Sequence, residues 1–246
     1  MIADLPLAVV TGAASGIGRA VAMRLRDEGL AVLAVDRVEA GLAELGPEVQ
    51  PFLADLALEA DRDRLVRRAA GCRHLVNAAG IMRARPILDL TVEDIRLLQS
   101  VNVEAVWDLT SRVGRTMPAG GSIVNVSSAS AKFAVTTEVA AYAMTKAAVL
   151  SLTRSFAYAF AASGVRVNAV CPGIIDTPMQ DRVLEELSTS RGVSVEALSA
   201  GRLGQIPLGR SGSPDECAAV IWFLLSGDSR YLTGQSINVT GGWVTW

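Results

Sequence analysis

The chain has 246 residues, half of them apolar and one fifth charged, with a formal net charge of −2. That length can bury a substantial core, and the composition is that of a globular chain, not a disordered one. A near-neutral balance with no Lys/Arg block argues against nucleic acid or an anionic membrane as partner, and a single histidine, His74, leaves one possible base for a Ser-His-Asp or Cys-His mechanism.

Taken in chain order, short apolar runs alternate with longer helix-compatible ones. The strands expected are Leu7–Val10, Ala31–Val35, Val49–Ala54, His74–Asn77, Ser122–Val126, Val165–Val170 and Gln235–Val239. Their nearly continuous apolar character is that of strands buried on both faces of a parallel sheet. Helices are expected between them at about Gly18–Glu28, Glu59–Ala70, Val92–Met117, Ala140–Ser163 and Pro214–Ser226. Ser213-Pro214-Asp215-Glu216 signals a helix start: a serine N-cap, proline at N1 and glutamate at N3. Repeated strand–helix–strand order predicts an α/β chain, a three-layer doubly wound sheet in one domain spanning residues 1–246. The segment from Asp176 to Arg210 contains two short helical patterns, Met179–Leu187 and Val195–Leu203, and no strand. It is expected to form a lid over the carboxyl edge of the sheet.

Cys72, Cys171 and Cys217 are odd in number and far apart, which predicts buried thiols and neither a disulfide framework nor a metal site. Met1–Pro6 lacks the charged and apolar regions of a signal peptide, and no apolar run approaches the roughly 18 residues of a membrane span. A soluble, cytoplasmic protein with no membrane partner is the expectation.

Two motifs suggest chemistry. Thr11-Gly12-Ala13-Ala14-Ser15-Gly16-Ile17-Gly18 follows the first strand and opens the first helix, where glycines admit a pyrophosphate to free N–H groups at a helix N-terminus. Asp36 closes the second strand and is placed to accept hydrogen bonds from the adenosine ribose of NAD while repelling the 2′-phosphate of NADP. Arg37, beside it, could pair with that phosphate; Ser15 supplies no second cation, so NAD(H) is favoured and NADP(H) is not excluded. The second motif is Tyr142-Ala143-Met144-Thr145-Lys146, whose i, i+4 spacing puts a phenol and an ammonium on one helix face. A nearby cation favours the phenolate, so such a tyrosine could exchange a proton with an alcohol or carbonyl oxygen. His74 and the Trp222–Phe223 pair read as core residues.

With Ser122–Ser128, Asn77-Ala78-Ala79-Gly80 and Asn102, these motifs resemble the short-chain dehydrogenase/reductase family over nearly the whole chain, from Val9 to about Trp243. The resemblance implies a Rossmann-type fold with a seven-stranded parallel sheet, NAD(H) or NADP(H) as cofactor, and a homotetramer or homodimer. It implies that Ser128 polarises the substrate oxygen, Tyr142 is the acid/base, and Lys146 lowers the tyrosine pKa and binds the nicotinamide ribose. Asn102 would support a water-linked proton relay. The cofactor would be bound by Gly12, Ser15, Gly16, Ile17, Gly18, Asp36, Arg37, by Asp55 and Leu56 at the adenine, by Asn77, Ala78, Ala79 and Gly80 at its middle, and by Tyr142, Lys146, Pro172, Gly173, Ile175 and Thr177 at the nicotinamide end. The interval from Ser128 to Tyr142 is one residue longer than the commonest family spacing, which keeps Ser127 and Ser130 open as alternatives to Ser128.

The implied reaction is interconversion of a secondary alcohol and a ketone, a small-molecule substrate being the partner. An NADPH-dependent ketoreductase, a dihydrodiol or polyol dehydrogenase, and a non-catalytic dinucleotide sensor are the competing readings. Met179, Val183, Leu184 and Leu187, with Ser130, Lys132 and Phe133, are expected to shape the substrate pocket, and one face of the Ala140–Ser163 helix is expected to pack on a second subunit.

Overall fold

A computed structural model describes residues 5–134 and 136–246. Seven parallel strands form one sheet: β1 (Leu7–Thr11), β2 (Ala31–Asp36), β3 (Val49–Leu53), β4 (His74–Asn77), β5 (Ser122–Val126), β6 (Arg166–Pro172) and β7 (Ser236–Val239), in the spatial order β3-β2-β1-β4-β5-β6-β7. The order reverses direction between β1 and β4, which opens a crevice beyond their carboxyl ends. β3 lies at the sheet's edge, the position that tolerates Pro51 and its missing N–H.

Alternating strand residues feed two cores. Ala8, Val10, Val32 and Ala34 point to one face, against Val21, Ala22 and Leu25 of α1 (Gly16–Asp27) and against Ala218, Ile221 and Leu225 of the last helix, Pro214–Leu225. Val9, Leu33, Leu75, Ile123 and Val167 point to the other. There they meet Leu65 and Ala69 of the helix Glu59–Ala69, Leu109 and Val113 of the helix Ala105–Gly114, and Ala157 and Phe160 of the helix Ala140–Phe160. This is the period-two alternation of a strand covered on both faces.

In chain order the remaining helices complete the labels: α2 (Glu39–Ala43), α3 (Glu59–Ala69), α4 (Val92–Gln99), α5 (Ala105–Gly114), α6 (Ala140–Phe160), α7 (Pro178–Arg191), α8 (Val195–Leu203) and α9 (Pro214–Leu225). The five-residue α2 was not expected, being too short to show a helical period. The helix expected over Val92–Met117 is three pieces: α4, a π-helical turn at Ser100–Glu104, and α5. The widened turn lets Asn102 reach sideways, where its amide bonds both backbone groups of Ile81 at 2.9 Å. The segment 176–210 holds α7 and α8, as the pattern predicted; Thr177 caps α7 by accepting from Gln180 N, Pro178 stands at N1, and Gly192 ends it in the left-handed region.

His74 is buried at the foot of β4 with its ring edge-on to Trp222, as a structural residue would be. The expectation for Phe223 is corrected: it is 41% exposed, because α9 turns only its Cys217–Ala218–Ile221–Leu224–Leu225 stripe to the sheet.

Candidate active site

A cavity of about 560 Å³ lies along the carboxyl edge of the sheet. Its floor begins at the turn after β1. Gly12 has φ +70°, and a Cβ on it would meet the Ala79 backbone at 2.8 Å; a Cβ on Gly18 would stand 2.1 Å from the Gly12 carbonyl oxygen. The two glycines therefore let α1 begin close against β1 and the segment after β4. Ser15, the N-cap residue of α1, makes no side-chain cap, and the first turn holds no acidic residue. The N–H groups of Gly16, Ile17 and Gly18 precede any intrahelical partner and these residues line the cavity. An uncapped helix N-terminus opening into a cavity suits a dinucleotide's diphosphate.

At the ends of β2 and β3, Asp36 and Asp55 line the same cavity with Arg37 and Leu56. One Asp36 oxygen accepts from Ala14 N at 3.0 Å and the other from Val38 N at 3.1 Å, which orients the carboxylate and leaves each oxygen acceptor capacity. Leu56 is held from behind by a residue that sequence reading missed. Arg62, buried on α3, donates to the Leu56 carbonyl at 2.9 Å, to Asp108 at 3.1 Å and to Glu104 at 3.0 Å. Its acidic partners lie more than forty positions away on the next helix unit, so no local pattern announces it.

Ala78, Ala79 and Gly80 line the middle of the cavity, but Asn77 does not. Its side chain turns into the sheet, where Nδ2 donates to Thr110 at 3.0 Å and to Asn125 at 2.8 Å, so it braces β4 against α5 and β5 instead of facing a cofactor. Pro172, Gly173, Ile175 and Thr177 line the opposite wall.

α6 presents Tyr142 and Lys146, both buried, to the cavity. Ser127 donates to the Lys146 carbonyl at 2.8 Å, which ties β5 to α6. Ser128 is the serine beside the phenol of Tyr142, and its hydroxyl also pairs with that of Ser130 at 2.8 Å. The Lys146 ammonium donates to the Val126 carbonyl at 2.8 Å and lies 5.6 Å from the centre of the Tyr142 ring. Space for it exists because residue 80 is glycine: a Cβ there would be 3.3 Å from Nζ. Asn102, fully buried, does not line the cavity; it joins Ile81 to Thr145 of α6, immediately behind Lys146.

The electrostatics differ from the expected lowering of the tyrosine by lysine. Burial pushes the Tyr142 phenol up to about 12, opposed by the nearby Ser128 hydroxyl, and burial pulls Lys146 down to about 8. Desolvation penalises the charged form of each.

Of the residues expected to shape the substrate pocket, Met179, Val183 and Ser130 line the cavity, whereas Leu184 and Leu187 turn into the core beneath α7. Lys132 instead donates to the Trp246 carbonyl at 2.9 Å, and Phe133 packs edge-on to Trp243 at 5.3 Å. Trp243 takes their place in the lining, together with Arg83, Arg182, Glu186 and Arg202. These come from four separate stretches of chain.

A family model described as enoyl-(acyl carrier protein) reductase matches residues 12–244. The 3-oxoacyl-(acyl-carrier-protein) reductase of Thermotoga maritima is 36% identical over 252 residues, covering 96% of each chain. An uncharacterised short-chain type dehydrogenase/reductase of Sinorhizobium fredii is 35% identical over 96% of this chain, which spans 43% of that longer protein. The crystal structure of a variant actinorhodin polyketide ketoreductase with NADPH superimposes with a TM-score of 0.88 at 32% identity, over 99% of this chain and 98% of that one. The chain belongs to the short-chain dehydrogenase/reductase family, and it is a Rossmann-fold oxidoreductase of that family. No helix among the described residues is long and apolar enough to cross a membrane.

Proposed function

We propose that the protein interconverts a secondary alcohol and a ketone with NAD(H), using Tyr142 as the acid/base. The observation that carries this is that Tyr142, Ser128 and Lys146 line the same cavity as an uncapped helix N-terminus. A nicotinamide dinucleotide bound there would supply the hydride acceptor or donor.

Ser128 donates to the substrate oxygen and holds it against the phenol. In reduction Tyr142 gives up its proton to that oxygen; in oxidation it takes the proton back. The Lys146 ammonium stabilises the phenolate formed in between and reaches toward the nicotinamide ribose. Asn102 supports this end as a positioning residue, fixing the Gly80–Ile81 backbone against α6 behind Lys146 and serving a water-linked relay there. The α7–α8 segment, residues 176–210, covers the substrate as a lid.

Gly12 to Gly18, Ala78 to Gly80, Pro172, Gly173, Ile175 and Thr177 hold the dinucleotide. Asp36 favours the free ribose of NAD, since a carboxylate opposes a 2′-phosphate. An NADPH-dependent ketoreductase is the second reading, favoured by Arg37 in the lining and by the NADPH bound to the similar ketoreductase. The exposed face of α6, with Met144 and Tyr158, and Trp107 of α5 suit a contact with a second copy of the chain, in a cytoplasmic homotetramer or homodimer.

The test follows NADH and NADPH absorbance over a panel of secondary alcohols and ketones. Turnover lost in Tyr142→Phe with NADH binding retained is the expected result; near-normal rates in that variant would sink the assignment. Tight NADH binding with no turnover on any compound would favour a dinucleotide sensor.

A further inference from the structure

The α7–α8 segment and the loop after β4 bring three arginines to the cavity, Arg83, Arg182 and Arg202, against one carboxylate, Glu186. Glu186 accepts from Ala84 N at 2.9 Å and forms no ion pair with any of them among the described residues. Arg191, close by on α7, is already paired with Glu138 at 2.8 Å. Arg202 is different. Half-buried on α8, its side chain makes no hydrogen bond or ion pair among the described residues, and its Nη1 is closed off from solvent with no partner. Burial and the like charge of Arg191 press its pKa below the usual guanidinium value, yet arginine keeps its proton. A desolvated cation beside a second cation, with no counter-ion, is costly unless something else supplies the anion.

Resting on the oxidoreductase reading above, we infer that the substrate carries a free carboxylate which pairs with Arg202, making it a small oxo or hydroxy acid. A planar guanidinium matches a carboxylate through two parallel hydrogen bonds, and Trp243 and Met179 of the same cavity lining supply apolar surface for the carbon chain. A carrier-bound thioester also brings an anion, the phosphate of its pantetheine arm. That phosphate lies far along the arm from the reacting carbonyl, whereas Arg202 lines the same cavity of about 560 Å³ as Tyr142.

The experiment compares kcat/KM for acetoacetate, its methyl ester and acetoacetyl-coenzyme A. Acetoacetate is expected to be the preferred substrate. In Arg202→Gln the acid-to-ester ratio should fall roughly 10- to 100-fold, as for loss of a charge-assisted hydrogen bond, with Arg202→Lys restoring part of it. NADH affinity should stay constant in both variants. A wild-type preference for the ester or the coenzyme A thioester, an unchanged ratio in Arg202→Gln, or a parallel fall in NADH affinity would each overturn the inference.

Binding is read separately. Acetoacetate is titrated against protein saturated with NAD+, which cannot reduce it, with tryptophan fluorescence as the signal because Trp243 lines the cavity. Saturable binding lost in Arg202→Gln supports the carboxylate site even if every ketone in the panel is inert, a result that would overturn only the oxidoreductase reading. Absence of binding to the wild type overturns the carboxylate site, whatever the turnover of neutral ketones.

Discussion

The two ends of the cavity are built on different principles. At the glycine-rich end, recognition rests on backbone: free N–H groups at the start of α1, a turn that only glycine permits, and the Asp36 carboxylate oriented by two backbone amides. At the α7–α8 end it rests on side chains delivered from Arg83, Arg182, Arg202 and Trp243. A backbone site is hard to alter, because changing it requires moving the chain. A side-chain site can be rewritten one residue at a time while the sheet stays intact, so under the proposed function it would carry the choice of substrate.

The largest expected effect lies between these ends. Tyr142→Phe should lower kcat by about 10² to 10⁴-fold, the usual contribution of a positioned acid/base, with little change in NADH affinity measured by fluorescence titration. A similar loss of both would mean that the phenol belongs to the backbone-built end instead.

Next, Arg62→Leu should lower stability by about 3 kcal/mol in urea unfolding, because Asp108 would be left buried with only the longer 3.3 Å contact to Arg112. The same variant should weaken NADH binding, since Arg62 holds the Leu56 carbonyl; unaltered NADH affinity would show that the adenine end does not depend on this support.

His74 tests the opposite edge of the sheet. Burial, with Arg73 and Arg166 nearby, pulls its pKa from 6.5 to about 4, so the unfolded chain binds the proton first as pH falls. Stability should therefore decrease from pH 6.5 to pH 4, by about 3 kcal/mol in all, since each tenfold difference in proton affinity between the folded and unfolded chain is worth about 1.4 kcal/mol. His74→Gln should flatten that limb of the thermal melting profile without altering the ratio of acid to ester turnover. A changed ratio would couple the two edges.

The smallest effect concerns cofactor choice. Asp36→Ala should shift the NAD-to-NADP ratio of kcat/KM about tenfold toward NADP, as removal of one repulsive charge at a partly exposed site allows, with Arg37 left to meet the phosphate. No shift would assign cofactor selection to other residues.

Much of the molecule is legible in its chain alone. All seven strands, the order of the helices, and the cluster of Tyr142, Lys146 and the glycine loop follow from local patterns: apolar runs, capping residues, an i, i+4 pair, glycines between a strand and a helix. Asn77 and Leu187 were misplaced for one reason. Sequence shows that a residue lies near an element's end or on an apolar stripe, but not which way its side chain turns once neighbouring elements pack.

One histidine left a histidine-based mechanism a single candidate base, and the sequence by itself carried the strand–helix order, the Tyr142–Lys146 spacing and the motifs that resemble the family. These are properties of neighbours in the chain, set by periodicity and turn chemistry. Only the tertiary structure decided that burial raises the pKa of the phenol, that Arg62 supports Leu56 from another helix, and that Arg202 stands without a counter-ion among the described residues. Each depends on desolvation and on how distant segments pack, which are quantities of the folded molecule and not of any segment.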